Sequence, residues 1–305
     1  MGPAYGAGVR SKAEAVVLIA VFSTLGALIA GDKVVKTIAT DILGGPVLNG
    51  NVLAVVIILL ASTAVVAAGN VLPVPLATAH AMVGAVVGVG IYLGSVNWQK
   101  TALILAWWLA TPLAALVLSF LISRYAYEGL KRRFDESGLA SKHSWLYRLL
   151  ITGSGCYLAF SAGSNGLAKA VGPLVAARVM NLKEAALLGA AGMAVGAIVI
   201  GPRLLETVGK EIIRLDPLKA ALVEVLGGTI VLAASLAGIP VSLAEIITCC
   251  VIGFSCGLSG IRFTSQIQHV RVMSRLWPLS PVLSGLTAFV VAALVSPVRV
   301  FLAGL

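Results

Sequence analysis

The stretch AGSNGLAKAVG, Ala162 to Gly172, interrupts a long apolar run with small and polar residues and follows the interruption with a lysine. A similar stretch in the first half, AGDKVVKTIAT, Ala30 to Thr40, ends another apolar run and carries Asp32, Lys33 and Lys36. Glycine can interrupt a helix, and a helix that starts at such a point exposes backbone N–H groups at its positive end. The two stretches therefore predict broken helices that carry charge.

The composition is that of an integral membrane protein. Hydrophobic residues make up 59% of the 305 residues and charged residues only 11%, and the mean hydropathy is +1.02. A helix needs about 20 apolar residues to cross a bilayer. Apolar stretches suited to this task lie at residues 13–30, 51–69, 71–95, 101–123, 146–162, 184–200, 218–238, 241–261 and 279–304. We therefore expect a helical protein that crosses the membrane several times.

The net charge of +10 does not indicate a nucleic-acid partner. Basic residues cluster between apolar stretches, mainly in Arg124 to Arg148 and in Arg262 to Arg275. Cytoplasmic loops of membrane proteins carry such an excess of lysine and arginine, so both segments are predicted to be cytoplasmic. The opening residues lack the pattern of a secretory signal peptide, and we expect none to be removed. The side on which the N-terminus lies stays open.

The cysteines do not indicate a metal or redox site. Cys156, Cys249, Cys250 and Cys256 lie in apolar stretches without paired spacing beside histidines. Such residues usually act as small buried hydrophobic side chains. We therefore expect no metal and no other cofactor.

The two halves of the chain contain similar stretches in the same order, as transporters with internal repeats do. The pairs are Ala30 to Thr40 with Ala162 to Gly172, Pro75 to Gly90 with Pro240 to Ser255, and Trp107 to Leu113 with Leu276 to Val282. The first pair places Lys36 opposite Lys169. The second places His80 opposite Glu245 and Thr78 near Ser242.

These paired stretches divide the chain into two repeats joined by a linker. We predict a first transmembrane repeat in residues 1–123, a charged cytoplasmic linker in residues 124–148 and a second transmembrane repeat in residues 149–305. The second repeat carries an insert, GPRLLETVGKEIIRLDPLKA, residues 201–220. Its charged residues predict a solvent-facing or interfacial element.

Several stretches follow the signatures of a known transporter family. GSNGLAKAVGPL (Gly163 to Leu174) is similar to G-A-N-D-V-A-N-A-x-G-[TP], PLATAHAMVG (Pro75 to Gly84) to P-V-S-[ST]-T-H-A-I-x-G, and GPRLLETVG (Gly201 to Gly209) to a further family stretch. On these motifs the chain resembles the inorganic phosphate transporter family, often called PiT, over most of its length. That family includes sodium-coupled and proton-coupled phosphate carriers and some sulfate permeases, so the resemblance implies an anion transporter.

The chain departs from the family pattern at positions that the resemblance associates with substrate and cation. Asn165 is kept, but the two signature aspartates become Lys33 and Gly166, and the two later asparagines become Lys36 and Lys169. A glutamate stands at the end of the second P-V-S stretch, where the family commonly has histidine. The loss of both aspartates implies a sodium-independent member that resembles a sulfate permease.

The lysines near the first break have two interpretations. Lys33 and Lys36 share a helix face, and Asp32 precedes Lys36 by four residues, which is the favourable order of acid and base. These lysines either reach from the end of a span to the bilayer surface or face a buried anion site, because a charge at membrane depth normally lies in a cavity or against a partner. The recurrence of lysine at Lys169 favours the buried site.

We predict an anion site shared by the two halves, in which lysines supply positive charge and hydroxyl and amide groups supply further donors. The predicted substrate-binding residues are Lys33, Lys36, Thr37, Thr78, Ser164, Asn165, Lys169 and Ser242, and the predicted coupling or gating residues are Asp32, His80 and Glu245. For His80 the alternative is a neutral histidine packed between helices. For Glu245 it is a structural ion pair with a lysine.

The charges of the predicted site favour sulfate over phosphate. Its three lysines against two acids leave one net positive charge, and protonation of Glu245 leaves two, which balances the sulfate dianion. Phosphate near neutrality carries a proton and gains from a carboxylate acceptor, whereas sulfate gains from donors alone. We therefore predict sulfate, with proton coupling through Glu245 or His80 in place of sodium.

The tryptophans and some glycines are given structural roles. Trp98, Trp107, Trp108, Trp145 and Trp277 mostly flank apolar stretches and are predicted to anchor the protein at the membrane interfaces. Gly84, Gly88 and Gly90 are predicted to permit close helix packing.

The sequence thus predicts an all-α integral membrane protein, a polytopic helical bundle built from two inverted-topology repeats with broken or re-entrant helices. We expect a multi-pass plasma-membrane protein that transports sulfate by proton symport, with phosphate as the alternative substrate. A membrane enzyme acting on a phosphorylated lipid is the alternative from another class, but no catalytic triad or metal-ligand spacing is present, so we expect no enzyme. The expected partners are an inorganic anion, a proton and the lipid bilayer, with a homodimer as one alternative for the oligomeric state.

Overall fold

The structure is a computed structural model and describes residues 1–71, 77–137, 144–199, 216–260 and 279–303, with side chains described except at residues 70, 71, 197 and 296–303. Its regular elements are helices: α1 (Gly2–Gly6), α2 (Lys12–Ala30), α3 (Asp32–Lys36), α4 (Val52–Val71), α5 (Thr78–Tyr92), α6 (Trp98–Leu121), α7 (Tyr127–Glu136), α8 (Trp145–Ala162), α9 (Ala168–Ala176), α10 (Leu182–Val199), α11 (Pro217–Leu236), α12 (Leu243–Ser259) and α13 (Leu279–Ala303). Wider π-helical turns lie at Thr37–Asp41, Ile122–Ala126 and Gly163–Leu167.

The lengths of the helices fit a membrane protein. Four segments of the described chain are both long and apolar enough to cross a bilayer, namely Lys12–Ala30, Val52–Gly69, Trp98–Glu136 and Pro217–Leu236. Helices α5 and α12 are also apolar but have 15 and 17 residues, which makes each only about 22–26 Å long. This is less than the roughly 30 Å hydrocarbon core. Both lengths are typical of helices that begin inside a bilayer.

Side-chain caps fix where several helices begin. At the start of α2, Ser11 and Glu14 each accept a hydrogen bond from the other's backbone N–H. Asn97 caps α6 and Asp216 caps α11, each by accepting a bond from a backbone N–H three residues later. These caps satisfy N–H groups that have no partner within the helix. The helix starts are therefore encoded locally.

The two predicted helix breaks differ in form. At the first, Gly31 separates α2 from α3, and the chain then widens into the π-helical turn Thr37–Asp41. At the second, the backbone stays helical from α8 to α9 and only widens into the π-helical turn Gly163–Leu167. Such turns leave some backbone groups outside the regular α-helical pattern and are frequent at functional sites. The second stretch therefore bulges instead of breaking.

Helices from the two halves exchange packing partners. Helix α5 packs along α13, and α12 packs along α6. In the same way α4 contacts α5 and α13, while α11 contacts α12 and α6. The start of each short helix, α5 and α12, is thus enclosed by helices from both halves of the chain.

Glycines permit the closest of these contacts, as predicted for α5. A Cβ atom at Gly84 would lie 2.2 Å from the carbonyl oxygen of Pro281, and one at Gly88 would lie 2.1 Å from that of Gly285. At the α6–α12 contact, a Cβ at Gly253 would lie 2.2 Å from the carbonyl oxygen of Leu116. No real side chain fits at these separations, so the helix pairs depend on the glycines.

Two of the turns that connect successive helices have the same local structure. GPAYGAGVRSKAEA (Gly2 to Ala15) contains the turn between α1 and α2, and GPLVAARVMNLKEA (Gly172 to Ala185) contains the turn between α9 and α10. Gly8 and Arg178 occupy the same place in the two turns, with positive φ values of 69° and 55°. In both, the residue before the second helix and a glutamate three residues later cap each other.

The charged connections are described only in part. Helix α7 continues α6 through the turn Ile122–Ala126, so part of the predicted linker 124–148 is helical and extends the long helix. Most of the predicted insert 201–220 and all of Arg262 to Arg275 lie outside the described residues, as does Trp277. Pro217 to Ala220, at the end of that insert, form the first turn of α11.

Candidate functional site

Two short helices begin beside each other in the interior. His80 is the third residue of α5 and Glu245 is the third residue of α12, and His80 Nε2 lies 3.4 Å from Glu245 Oε2. Both side chains are buried. Because the N-terminus of a helix carries partial positive charge and unpaired N–H groups, two positive helix ends converge on this pair.

The Glu245 carboxylate is incompletely satisfied. Its Oε1 atom is buried and accepts no hydrogen bond from any residue within the described ranges. The backbone N–H of Glu245 donates to Ser242 Oγ, 3.3 Å away, and Ser242 is the N-cap of α12. An ionised carboxylate is costly in such surroundings. A proton or a hydrogen-bond donor arriving at Oε1 would therefore stabilise this group.

Trp108 lies against the same pair. Its ring centroid is 3.8 Å from that of His80, with 36° between the ring planes. Its Nε1–H donates to the carbonyl oxygen of Pro240 at 2.8 Å. The prediction that Trp108 anchors the protein at the membrane interface is therefore wrong, because the side chain is only 8% exposed and packs between helices. Trp98 and Trp145 are exposed, as expected of interfacial residues.

The connection between α11 and α12, Leu236 to Ser242, is held by side-chain donors from other elements. The donors and the carbonyl oxygens that accept from them are Lys33 with Leu236 (2.9 Å), Thr37 with Gly238 (2.6 Å), Asn165 with Ile239 (2.9 Å), Trp108 with Pro240 (2.8 Å), and Lys169 with Val241. An extended segment inside a membrane protein has to satisfy its backbone groups with such partners. We name this segment, Leu236 to Ser242, the α12 entry loop.

Asn165 connects the π-helical turn Gly163–Leu167 to this loop, and Ser164 connects the same turn to α11. Asn165 Oδ1 accepts from the Val241 N–H at 2.9 Å, and Asn165 Nδ2 donates to Ser235 Oγ at 3.0 Å as well as to the loop. Ser164 Oγ lies 3.0 Å from Ser235 Oγ. The amide of Asn165 thus bonds at both its oxygen and its nitrogen. It fixes the turn to the α12 entry loop.

Of the three lysines predicted to bind substrate, Lys169 is the one that is buried in the structure. It is 3% exposed, and its ammonium group donates to the carbonyl oxygen of Val241. Glu245 interacts electrostatically with this ammonium group. A buried charge needs a counter-charge and hydrogen bonds. Here one carbonyl and the nearby carboxylate supply them.

The remaining predicted site residues, apart from Thr37, are exposed, although Lys33 donates to the α12 entry loop. Lys36 is exposed, with 73% of its side chain accessible, and its nearest acid is Asp41 at 4.0 Å. Lys33, Asp32 and Thr78 are also exposed. The structure therefore brings together Ser164, Asn165, Lys169, Ser242, His80 and Glu245, with Thr37 bound to the α12 entry loop. Lys36 and Lys169 do not form a matched buried pair.

Asp41 and Lys100 form a polar contact that the sequence analysis did not identify. Asp41 Oδ2 lies 3.6 Å from Lys100 Nζ and 3.3 Å from Thr37 Oγ1. Lys100 could have been noticed, because it is the lone lysine or arginine between Asn51 and Leu121. Through Thr37, this contact links the start of α6 to the α12 entry loop.

The arrangement suits an anion better than a metal. Among the residues that the structure describes, no cluster of three or more histidine, cysteine, aspartate or glutamate side chains could hold a metal ion. The cysteines there are free, with Cys156, Cys249 and Cys250 buried and Cys256 partly buried. Two helix N-termini, a lysine, a histidine and a serine hydroxyl instead offer donors to an oxyanion.

Comparison with known proteins identifies relatives of this chain. Residues 1–137 and 130–288 match the model of the phosphate transporter family, PHO4. The chain is 35% identical over 286 residues to the sulfate permease CysP of Bacillus subtilis (strain 168), an alignment that covers 93% of this chain and 78% of that protein. It is 25% identical to the probable low-affinity inorganic phosphate transporter of the same organism, covering 91% of this chain and 86% of that protein.

A solved structure, that of the sodium-dependent phosphate transporter, has the same fold. The TM-score is 0.75 at 20% sequence identity, and the alignment covers 96% of this chain and 92% of that one. These relatives are permeases and transporters, and none of them carries the name of an enzyme. The helices long and apolar enough to span a bilayer agree with a membrane transporter. By its match to the family model and its identity to the sulfate permease, the chain belongs to the phosphate transporter family.

Proposed function

We propose that this protein is a secondary active transporter of a divalent tetrahedral oxyanion, and that sulfate is its substrate, carried with a proton across the plasma membrane. The observation that carries the proposal is the convergence of the N-termini of α5 and α12 beside the buried Lys169. Helix N-termini and a lysine suit an anion that brings its own negative charge.

The proposed anion contacts follow from this geometry. Lys169 would exchange the Val241 carbonyl oxygen for an oxygen of the anion, and the hydroxyl of Ser242 would donate at the start of α12. Ser164 and Asn165 would hold the π-helical turn and the α12 entry loop in place. Lys33, Lys36, Thr37 and Thr78 would contribute at the approach to the site, where the structure exposes three of them and binds Thr37 to the loop.

The chemistry of Glu245 would couple the binding of sulfate to the binding of a proton. Sulfate carries no proton near neutrality, so an ionised Glu245 beside it repels it, whereas a protonated Glu245 can donate a hydrogen bond to it. Binding of the anion and binding of the proton then favour each other, which is the basis of symport. The 35% identity to a protein named sulfate permease supports the choice of sulfate.

Phosphate is the second candidate. Hydrogen phosphate carries its own proton and can donate it to the Oε1 atom of Glu245, which lacks a donor within the described ranges. Other relatives are named phosphate transporters. The two candidates differ in one consequence: sulfate binding requires a proton on the pair of His80 and Glu245, and phosphate binding does not.

We also propose that the chain consists of two inverted repeats. The exchange of packing partners between α5 with α13 and α12 with α6 supports the duplication. The matched turns after α1 and after α9 support it as well. Enclosure of one site by both halves is a common design in transporters with broken helices.

The proposed function is tested by uptake into proteoliposomes. Purified protein should accumulate radiolabelled sulfate when the outside is acidic, in a saturable manner and without sodium, and unlabelled phosphate should compete more weakly. Accumulation of phosphate alone would make phosphate the substrate. If an imposed proton gradient drives the uptake of neither anion, the proposal is wrong.

A further inference from the structure

The burial of Trp108 does not follow from its residue type or from the helix that carries it. The neighbouring Trp107 is partly exposed, whereas Trp108 is buried among helices of both halves. A buried indole usually needs a partner for its N–H group, and Trp108 finds one in Pro240. The same ring lies 3.8 Å from the ring of His80. The Trp108 side chain thus contacts both His80 and the α12 entry loop.

We propose that Trp108 is a positioning residue for transport: its ring face favours the protonated form of His80, and its Nε1–H holds the Pro240 carbonyl so that α12 begins beside His80. This inference rests on the proposed function, since it assigns a role within proton-coupled anion uptake. Neither role requires Trp108 to touch the anion.

The first role follows from the stacking. A cation is attracted to the negative face of an indole ring, and the attraction is larger where water is excluded. The neutral imidazole lacks this attraction, so the contact shifts the His80 equilibrium toward the imidazolium. The pair of His80 and Glu245 would then hold a shared proton more strongly than it would without the indole.

The other ionisable groups around His80 are few in the described chain. Helix α12 carries Glu245, Cys249, Cys250 and Cys256, α9 carries Lys169, and α5 itself ends at Tyr92. Helix α4 and the described side chains of α13 contain no ionisable group, and α6 has only Lys100 near its start. Of these groups, the Glu245 carboxylate favours the imidazolium and the Lys169 ammonium opposes it. The attraction between the indole ring and the imidazolium adds to the effects of Glu245 and Lys169.

The second role follows from the hydrogen bond. Pro240 lies two residues before Ser242, the N-cap of α12. Its carbonyl oxygen accepts from Trp108, while the flanking carbonyls of Ile239 and Val241 accept from Asn165 and Lys169. Loss of the indole donor would leave a buried carbonyl without its partner. The α12 entry loop could then shift at the point where Lys169 has to exchange Val241 for the anion.

Two substitutions separate these roles. Trp108→Phe keeps an aromatic face but removes the N–H group, and Trp108→Leu removes both. Trp107→Leu is the matched control, because it makes the same change on the adjacent residue of the same helix. Sulfate uptake into proteoliposomes is measured against external pH for each variant.

We expect Trp108→Phe to raise the KM for sulfate several-fold while leaving the half-maximal pH near that of the wild type. Trp108→Leu should in addition move the half-maximal pH of uptake downward by roughly half a unit or more, as expected for the loss of a cation–π contact. Trp107→Leu should leave both values unchanged. A Trp108→Leu profile with the wild-type midpoint, measured on folded protein, overturns the first role.

A second measurement does not depend on transport. Protonated imidazole quenches indole fluorescence more strongly than neutral imidazole, so the fluorescence difference between the wild type and Trp108→Phe should titrate with the same midpoint as uptake. A pH-independent difference overturns the first role even if Trp108→Leu fails to fold. The proposed function fails separately, when wild-type uptake itself is not driven by protons.

Discussion

At the scale of single residues, burial distinguishes lysines that look alike in the sequence. Lys36 and Lys169 both follow a glycine-containing interruption of an apolar run. Lys36 is 73% exposed beside Asp41, whereas Lys169 is buried and bonded to Val241. Exposed ion pairs contribute little free energy, but a buried ammonium group interacts strongly with whatever replaces its water. We therefore expect the two lysines to differ in their effect on anion binding.

Lys169→Met should lower the affinity for sulfate at least roughly tenfold, because a charged hydrogen bond contributes about 1.5–3 kcal/mol. Lys36→Met is the matched control and should change the affinity by less than about threefold, as expected for an exposed pair. Equilibrium binding of labelled sulfate to purified protein measures both. Equal losses in the two variants would restore the paired-lysine site that the sequence suggested.

The sequence predicts which residue types form the site better than it predicts their contacts. The sequence selects Ser164, Asn165, Lys169, Ser242, His80 and Glu245 as candidates, and the structure buries all six. Trp108 was not identified, since its contact with His80 depends on how α6 and α5 pack in three dimensions. Whether a lysine such as Lys36 turns outward is likewise decided by tertiary packing.

At the scale of helices, the apolar stretches of the sequence predict well where helices occur, but they predict the ends of those helices less well. The predicted apolar stretch 146–162 corresponds to α8, Trp145–Ala162, and the stretch 51–69 corresponds to α4, Val52–Val71. The stretch 71–95 was predicted as one apolar segment, but α5 begins only at Thr78. Hydropathy cannot show this start, because the residues before it are as apolar as the helix. The late start is what places His80 in the first turn.

The packing of α5 on α13 gives a prediction about stability. A Cβ at Gly88 would lie 2.1 Å from the Gly285 carbonyl oxygen, so Gly88→Ala should force the helices apart and destabilise the protein by about 1–3 kcal/mol. Gly192→Ala on α10 is the control, since nothing lies within 4 Å of a Cβ there. That change should be neutral or stabilising, because alanine favours helix over glycine. Thermal unfolding in detergent compares the two, and equal melting temperatures would contradict the close contact.

At the scale of the whole molecule, the matched turns suggest a different register for the repeats. The similarity of Gly2 to Ala15 with Gly172 to Ala185 continues in sequence as GALIAGDKVVKTI (Gly26 to Ile38) with GAIVIGPRLLETV (Gly196 to Val208). In this register we propose Glu206, not Lys169, as the counterpart of Lys36. The unequal burial of the two lysines then has a simple reason, because they are not equivalent positions.

The proposed coupling also involves the whole molecule, because the candidate site contains residues of both halves. Glu245 begins α12 and His80 begins α5, and each helix packs along a helix of the other half. In the proposed function, a proton bound between them, together with Lys169 and the two positive helix ends, offsets part of the charge of an arriving sulfate. The loaded site then has less net charge than a site that binds sulfate without the proton, which lowers the cost of moving it through a medium of low dielectric constant.

Glu245→Gln tests this coupling while keeping the size of the side chain. The amide can donate to sulfate as a protonated carboxyl does, so the variant should still bind sulfate, and its binding should depend less on pH than that of the wild type. Accumulation driven by an inward proton gradient should be lost, whereas exchange of internal for external sulfate should persist. Binding, exchange and gradient-driven uptake are measured on the same preparation. If Glu245→Gln keeps full accumulation driven by the pH gradient, or if the wild type requires sodium, Glu245 is a structural partner of Lys169 and does not carry the coupled proton.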